Sequence, residues 1–141
     1  MPAEAKGWAT IAIALLAAAA LGGGLALSGG PGQGRKERRD EARHQDLQRL
    51  SSLVQCRANA EGGLPADLLN TPACPETARR EDPFTAAPYR YEAIDARSFR
   101  LCAGFELPLE PTQIWGASEI DAKAGCLVWH LPPVVEVKPA G

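Results

Sequence analysis

Tyr89–Phe105 reads YRYEAIDARSFRLCAGF, and this stretch decides the fold. Tyr89, Tyr91 and Ala93 alternate with Arg90, Glu92 and Ile94. Beyond Asp95-Ala96-Arg97-Ser98, Leu101, Ala103 and Phe105 alternate with Arg100, Cys102 and Gly104. A period of two places successive side chains on opposite faces of a strand, so two strands joined by a tight hairpin are expected. CLVWHL at 126–131 supplies a third strand, reached through a long loop over 106–125 and stopped by Pro132-Pro133. A hairpin alone is marginal in water, so this sheet needs a helix to cover one face.

The helix lies upstream. In RKERRDEARHQDLQRLSSLVQCRANAEGG, residues 35–63, Leu47, Leu50, Val54 and Ala58 recur at spacings of three and four, with Leu53 and Arg57 alongside. One face is therefore apolar, and Gly62-Gly63 is the expected stop. Residues 35–57 carry 7 basic and 4 acidic side chains, a net +3. This run reads first as a solvated helix face, and second as a surface attracted to anionic lipid head groups. Between helix and sheet, residues 64–88 hold Leu64-Pro65, Thr71-Pro72, Cys74-Pro75 and Asp82-Pro83, which mark an irregular connector. The expected class is α+β, an amphipathic helix packed on a small three-stranded antiparallel sheet.

Further outward, Trp8–Leu27 reads WATIAIALLAAAALGGGLAL, 20 residues without a charge. At about 1.5 Å per residue it spans about 30 Å, the thickness of a bilayer's hydrocarbon core. A cleaved signal peptide has a shorter apolar run and ends in a small-x-small site, whereas LALSGG follows here, so a retained anchor is expected. The chain then divides into a short leader (1–7), a transmembrane helix (8–27), a Gly-rich linker (28–34), the α+β domain (35–131) and a C-terminal tail (132–141). With 141 residues, 45% hydrophobic and 23% charged, a multi-domain enzyme, a coiled-coil rod and a wholly disordered chain are excluded. Residues 58–141 carry 7 basic and 12 acidic side chains, which argues against nucleic acid as a partner.

Two signals bear on orientation. Arg35, Lys36, Arg38, Arg39 and Arg43 follow the span, against Lys6 before it, which by the positive-inside rule keeps the C-terminal part in the cytoplasm. The four cysteines, with no CxxC and no metal-ligand spacing, look like two structural disulfides and so demand an oxidising compartment. Ser28–Gly34 spaces the basic run from the apolar one, so the cysteines weigh more. The expectation is a single-pass membrane protein with its C-terminal domain on the oxidising side, which the resemblance given next makes the periplasmic side of a bacterial inner membrane.

An apolar N-terminal helix, an amphipathic helix ending at Gly62-Gly63-Leu64-Pro65, and Asp82-Pro83-Phe84-Thr85-Ala86-Ala87-Pro88-Tyr89-Arg90-Tyr91 opening an antiparallel sheet together resemble the major pseudopilins of type II secretion, over about residues 38–105. The layout is also similar to a group of bacterial single-span membrane proteins with a DP…PYxY…LCAxF pattern, which brings no activity with it. The pseudopilin resemblance implies a glycine before the apolar helix and a glutamate five places into it. Gly7-Trp8 offers the glycine, but Ala12 stands at the glutamate's place, so neither peptidase processing nor an ordered fibre is expected.

Four cysteines allow three connectivities. Cys56–Cys74, clipping the helix end to the connector, with Cys102–Cys126, joining two strands, is the favoured one. No nucleophile elbow, phosphate loop or metal-ligand cluster appears, so no catalytic, cofactor-binding or metal residues are assigned and no cofactor or small-molecule substrate is expected. His44 and His130 read as surface or partly packed residues. Glu106, Glu110, Glu119 and Asp121 read as solvated acids, although the comparable pseudopilin loop binds calcium. Trp129 is expected in the core, and Trp115 is a candidate partner contact. The expected function is a membrane-anchored, non-catalytic structural or interaction module whose partners are the bilayer and a membrane or periplasmic protein. The alternatives are an accessory subunit of a large inner-membrane complex and a thiol-redox protein.

Overall fold

Among the described residues four antiparallel strands form the sheet, one more than expected: β1 Arg90–Ala93, β2 Ser98–Cys102, β3 Glu119–Asp121 and β4 Cys126–His130, in the order β1-β2-β4-β3. The structure, a computed structural model, describes residues 3–112 and 116–133; Trp115 and the tail beyond Pro133 lie outside them. The added strand, β3, falls inside the stretch expected to be loop. Its three residues alternate polar, apolar, polar, with Ile120 half-buried, and three residues are too few for alternation to register in a sequence. A turn over Ala122–Gly125 returns the chain into β4. Gly125 has φ +66°, and a Cβ there would stand 2.8 Å from the Ala103 carbonyl oxygen, so only glycine fits.

Two helices precede the sheet, α1 Ala3–Leu27 and α2 Gly30–Glu61. The expected linker over 28–34 is corrected: only Ser28 and Gly29 interrupt the helical path. Pro31 sits in the first turn of α2, where its missing N–H leaves no hydrogen bond unmade, and the long helix behind it propagates through Gly32 and Gly34. At the other end Gly62, at φ +78°, donates its N–H to the Ala58 carbonyl at 2.9 Å and closes the helix with a left-handed cap.

The chain falls into two units, Met1–Arg38 and Arg39–Gly141. In the first, α1 is long and apolar enough to cross a membrane, and Ile11, Ile13, Leu15, Leu16, Leu21 and Leu25 are exposed. In the second, Leu47, Leu50 and Val54 of α2 meet one face of the sheet, built by Phe99, Leu101, Leu127 and Trp129, with Tyr89 beside them. Pairing of Phe99 with Trp129 and of Leu101 with Leu127 puts these side chains in register across β2 and β4, and the Phe99 and Trp129 rings stack at 5.6 Å. Trp129 is in the core, as expected.

Leu50 is fully buried at the centre of this face. Leu50→Ala should lower the unfolding free energy by about 3 kcal/mol, lost transfer energy plus a cavity the rigid sheet cannot fill. Chemical denaturation followed by Trp fluorescence measures it, and a loss under about 0.5 kcal/mol would mean the leucine does not seal the core.

Candidate functional site

The buried stripe of α2 does not stop at Leu47. It continues one and two turns back to Arg43 and Asp40, so the helix carries a charged pair into the interior on the face that holds its leucines. Arg43 is 1% exposed. Its Nε donates to Asp82 Oδ2 at 2.5 Å, and its Nη1 donates to Asp40 Oδ1 at 2.7 Å and to Glu106 Oε2 at 3.1 Å. The Phe84 ring covers the guanidinium at 5.5 Å. Arg39 approaches Glu106 from outside, its Nε 2.7 Å from Oε2 and its Nη2 donating to Oε1 at 2.8 Å.

Each carboxylate also organises backbone. Asp40 accepts the N–H groups of Glu106 at 3.0 Å and of Leu107 at 2.8 Å. Asp82 accepts the Phe84 N–H at 2.8 Å, and its own backbone closes the 82–87 turn through bonds to Ala86 and Ala87. Burial pushes the Asp82 carboxyl up, but the Arg43 guanidinium and the Phe84 N–H outweigh it and hold it below the usual carboxylate range. Three segments distant in sequence, α2, the Asp82-Pro83 turn and the start of the 103–112 loop, are thus tied at one point. An arginine cannot take or give a proton at ordinary pH, and these carboxylates already accept its hydrogen bonds, so the arrangement fixes geometry.

Two smaller polar anchors secure the connector. Asp46 accepts the Tyr89 hydroxyl at 2.9 Å, and Arg57 donates to the carbonyls of Asp67 at 2.9 Å and Leu69 at 3.0 Å. His44, buried on α2, stacks on Phe105 at 4.5 Å, and burial lowers its pKa. The second histidine is exposed: His130 on β4 shares a 2.8 Å hydrogen bond with Ser98 Oγ on β2 through Nδ1, and Glu119 Oε1 lies 3.7 Å from its Nε2. Ser98 and His130 are register partners and Ser98 is buried, so the contact is a cross-strand pair within the sheet.

Cys56 is bonded to Cys74, and Cys102 to Cys126, the latter pair directly opposite one another on β2 and β4. Trp115 lies outside the described residues. The loop acids disperse: Glu106 joins Arg39 and Arg43, Asp121 lies 4.0 Å from Arg100, Glu119 faces His130, and Glu110 is exposed. Among the described residues no group of three or more His, Cys, Asp or Glu side chains could hold a metal ion. A shallow cleft of about 400 Å³ opens between Ala103–Leu109 and the Ala122–Gly125 turn.

In the sequence Asp82-Pro83 reads as a break in the connector and as the start of the pseudopilin-like stretch, and Arg43 as part of a solvated or lipid-facing charge run. The signal that finds the cluster is the spacing 40, 43, 47, 50, 54, which keeps Asp40 and Arg43 on the leucine face. No protein-family model, curated protein or solved structure matches this chain.

Proposed function

We propose that this chain is a membrane-anchored structural or interaction module of a bacterial inner membrane, with a pseudopilin-like domain held in the periplasm and no catalytic role. One observation carries the reading: an exposed helix long and apolar enough to cross a bilayer precedes an α+β domain whose four cysteines form two disulfides. Disulfides persist outside the reducing cytoplasm, which favours the periplasmic side over the side the basic run indicates. The helix-then-sheet order, with the Asp82-Pro83 turn fastened to the helix, supports the pseudopilin likeness. Ala12, where that family carries glutamate, favours a module that works outside a filament, against another membrane or periplasmic protein.

Alkaline phosphatase joined to the C-terminus tests the topology. The fusion should be active and a green fluorescent protein fusion dark. An inactive phosphatase with a bright fluorescent fusion would place the domain in the cytoplasm and overturn the reading.

A further inference from the structure

The basic run that opens α2 is two different things. Arg39 and Arg43 are committed to Glu106, Asp40 and Asp82. Arg35, Lys36 and Arg38 are exposed, and their side chains have no ion pair or hydrogen bond among the described residues. At about 100° per residue, Arg38, Arg35 and Lys36 cover a continuous arc of about 160° on the helix, and Glu37, the one acid among them, points to the opposite side. Three unpaired cations therefore form one surface.

Their distance from the apolar helix decides what that surface meets. Arg35 follows Leu27, the last residue of α1, by eight positions, six of them from Gly30 onward in α2. Six helical residues to Arg35 rise about 9 Å and nine to Arg38 about 14 Å, and the short Ser28-Gly29 break adds a few ångströms. The head-group zone extends about 5–8 Å beyond the hydrocarbon on each side. An arginine side chain reaches back over several ångströms, and the Debye length is about 8 Å at physiological salt. If α1 fills the hydrocarbon, these three charges lie within reach of the phosphates of its own leaflet. All three belong to the same unit as α1, Met1–Arg38.

We propose that Arg35, Lys36 and Arg38 bind the head groups of anionic phospholipids and gather such lipids around the anchor. The inference rests on the membrane reading of α1, and on nothing about the domain's compartment or partner. It also gives the basic run a role compatible with a periplasmic domain, because it reads the run as a lipid contact and not as a topology signal.

The experiment uses the full chain reconstituted in vesicles of phosphatidylcholine with phosphatidylglycerol, then extracted in mild detergent with its closely held lipid quantified. The wild-type chain should retain phosphatidylglycerol over phosphatidylcholine by about fivefold, the scale of one basic residue at a charged surface, and the preference should fall as salt is raised. Arg35→Gln/Lys36→Gln/Arg38→Gln should bring the ratio to the vesicle's own. Arg49→Gln/Arg80→Gln/Lys123→Gln, an equal charge change on exposed residues of the second unit, should leave the preference intact. A wild-type chain without preference, a preference that survives the first triple variant, or one abolished equally by the second would overturn the proposal. Alkaline carbonate separates the two levels: a chain it strips from the vesicles overturns the anchor along with the lipid contact, whereas an inserted chain without preference overturns the lipid contact alone.

Discussion

Replacing Arg43 by alanine should lower the unfolding free energy by about 4 kcal/mol, the cost of leaving buried carboxylates without their counter-ion. The side chain is 1% exposed, and its partners Asp82 and Asp40 are 3% and 8% exposed at their side chains, so water cannot replace the guanidinium without opening the structure. Removing charge from both sides should cost less than the sum. Arg43→Met with Asp82→Asn should recover about 2 kcal/mol of the two single losses, as coupled neighbours do. Urea denaturation of the four proteins of this cycle measures the coupling, and strict additivity would mean that Arg43 and Asp82 do not depend on one another.

The cluster also sets how the protein responds to acid. Asp82 is held below its ordinary value of 3.8 in the folded protein, so its contribution is complete above that value and is lost as pH falls below it. His44 acts higher. Burial lowers it from 6.5, so the unfolded imidazole takes its proton first and stability drops as pH falls through 6.5. Arg43→Ala should flatten the lower limb and leave the upper one unchanged. Equal slopes below pH 4 in both proteins would remove Asp82 from this account.

What could be read from the residues, and what could not, divides along one physical line. Periodicity reports burial when buried residues are apolar. Leu47, Leu50 and Val54 announced the helix face, and Tyr91 and Leu101 announced the hairpin. The same stripe carried on through Arg43 and Asp40, but charged side chains read as surface unless a partner far along the chain is known. Asp82 and Glu106 lie 39 and 63 residues from Arg43. Phe99 was hidden differently: it stands beside the turn, and only the register with Trp129 shows it to be core. Strand β3 is too short to carry a pattern, and its pairing with β4 decides it. At Gly30–Gly34 local propensity pointed to a linker, and propagation from the long helix behind it won.

The largest effect comes from removing both disulfides. The bridges span 18 and 24 residues, and loop closure in the unfolded chain makes each worth roughly 3 kcal/mol. They lie in different parts of the fold, so the losses should add to roughly 6 kcal/mol, comparable with the whole stability of a domain this size, about 5–15 kcal/mol. The two single-pair variants should differ in kind. Cys102 and Cys126 are buried and join the two central strands, so changing both to alanine should lower the global unfolding midpoint. Cys56 is exposed, and its bridge fastens the end of α2 to a connector whose regular pairing amounts to two isolated bridges, Thr71 with Cys74 and Glu81 with Pro88. Opening that bridge should free residues 64–78 locally, because what then fastens them is Arg57, the Tyr91 hydroxyl on Pro65 and the partly buried Leu64, Leu68 and Ala78, while the sheet stays closed. Limited proteolysis should therefore cut the Cys56→Ala/Cys74→Ala protein within 64–78 and leave the fragment from residue 79 onward intact. Cleavage spread evenly over the domain would show that the connector and the sheet unfold as one unit, and the assignment of separate roles to the two bridges would be wrong.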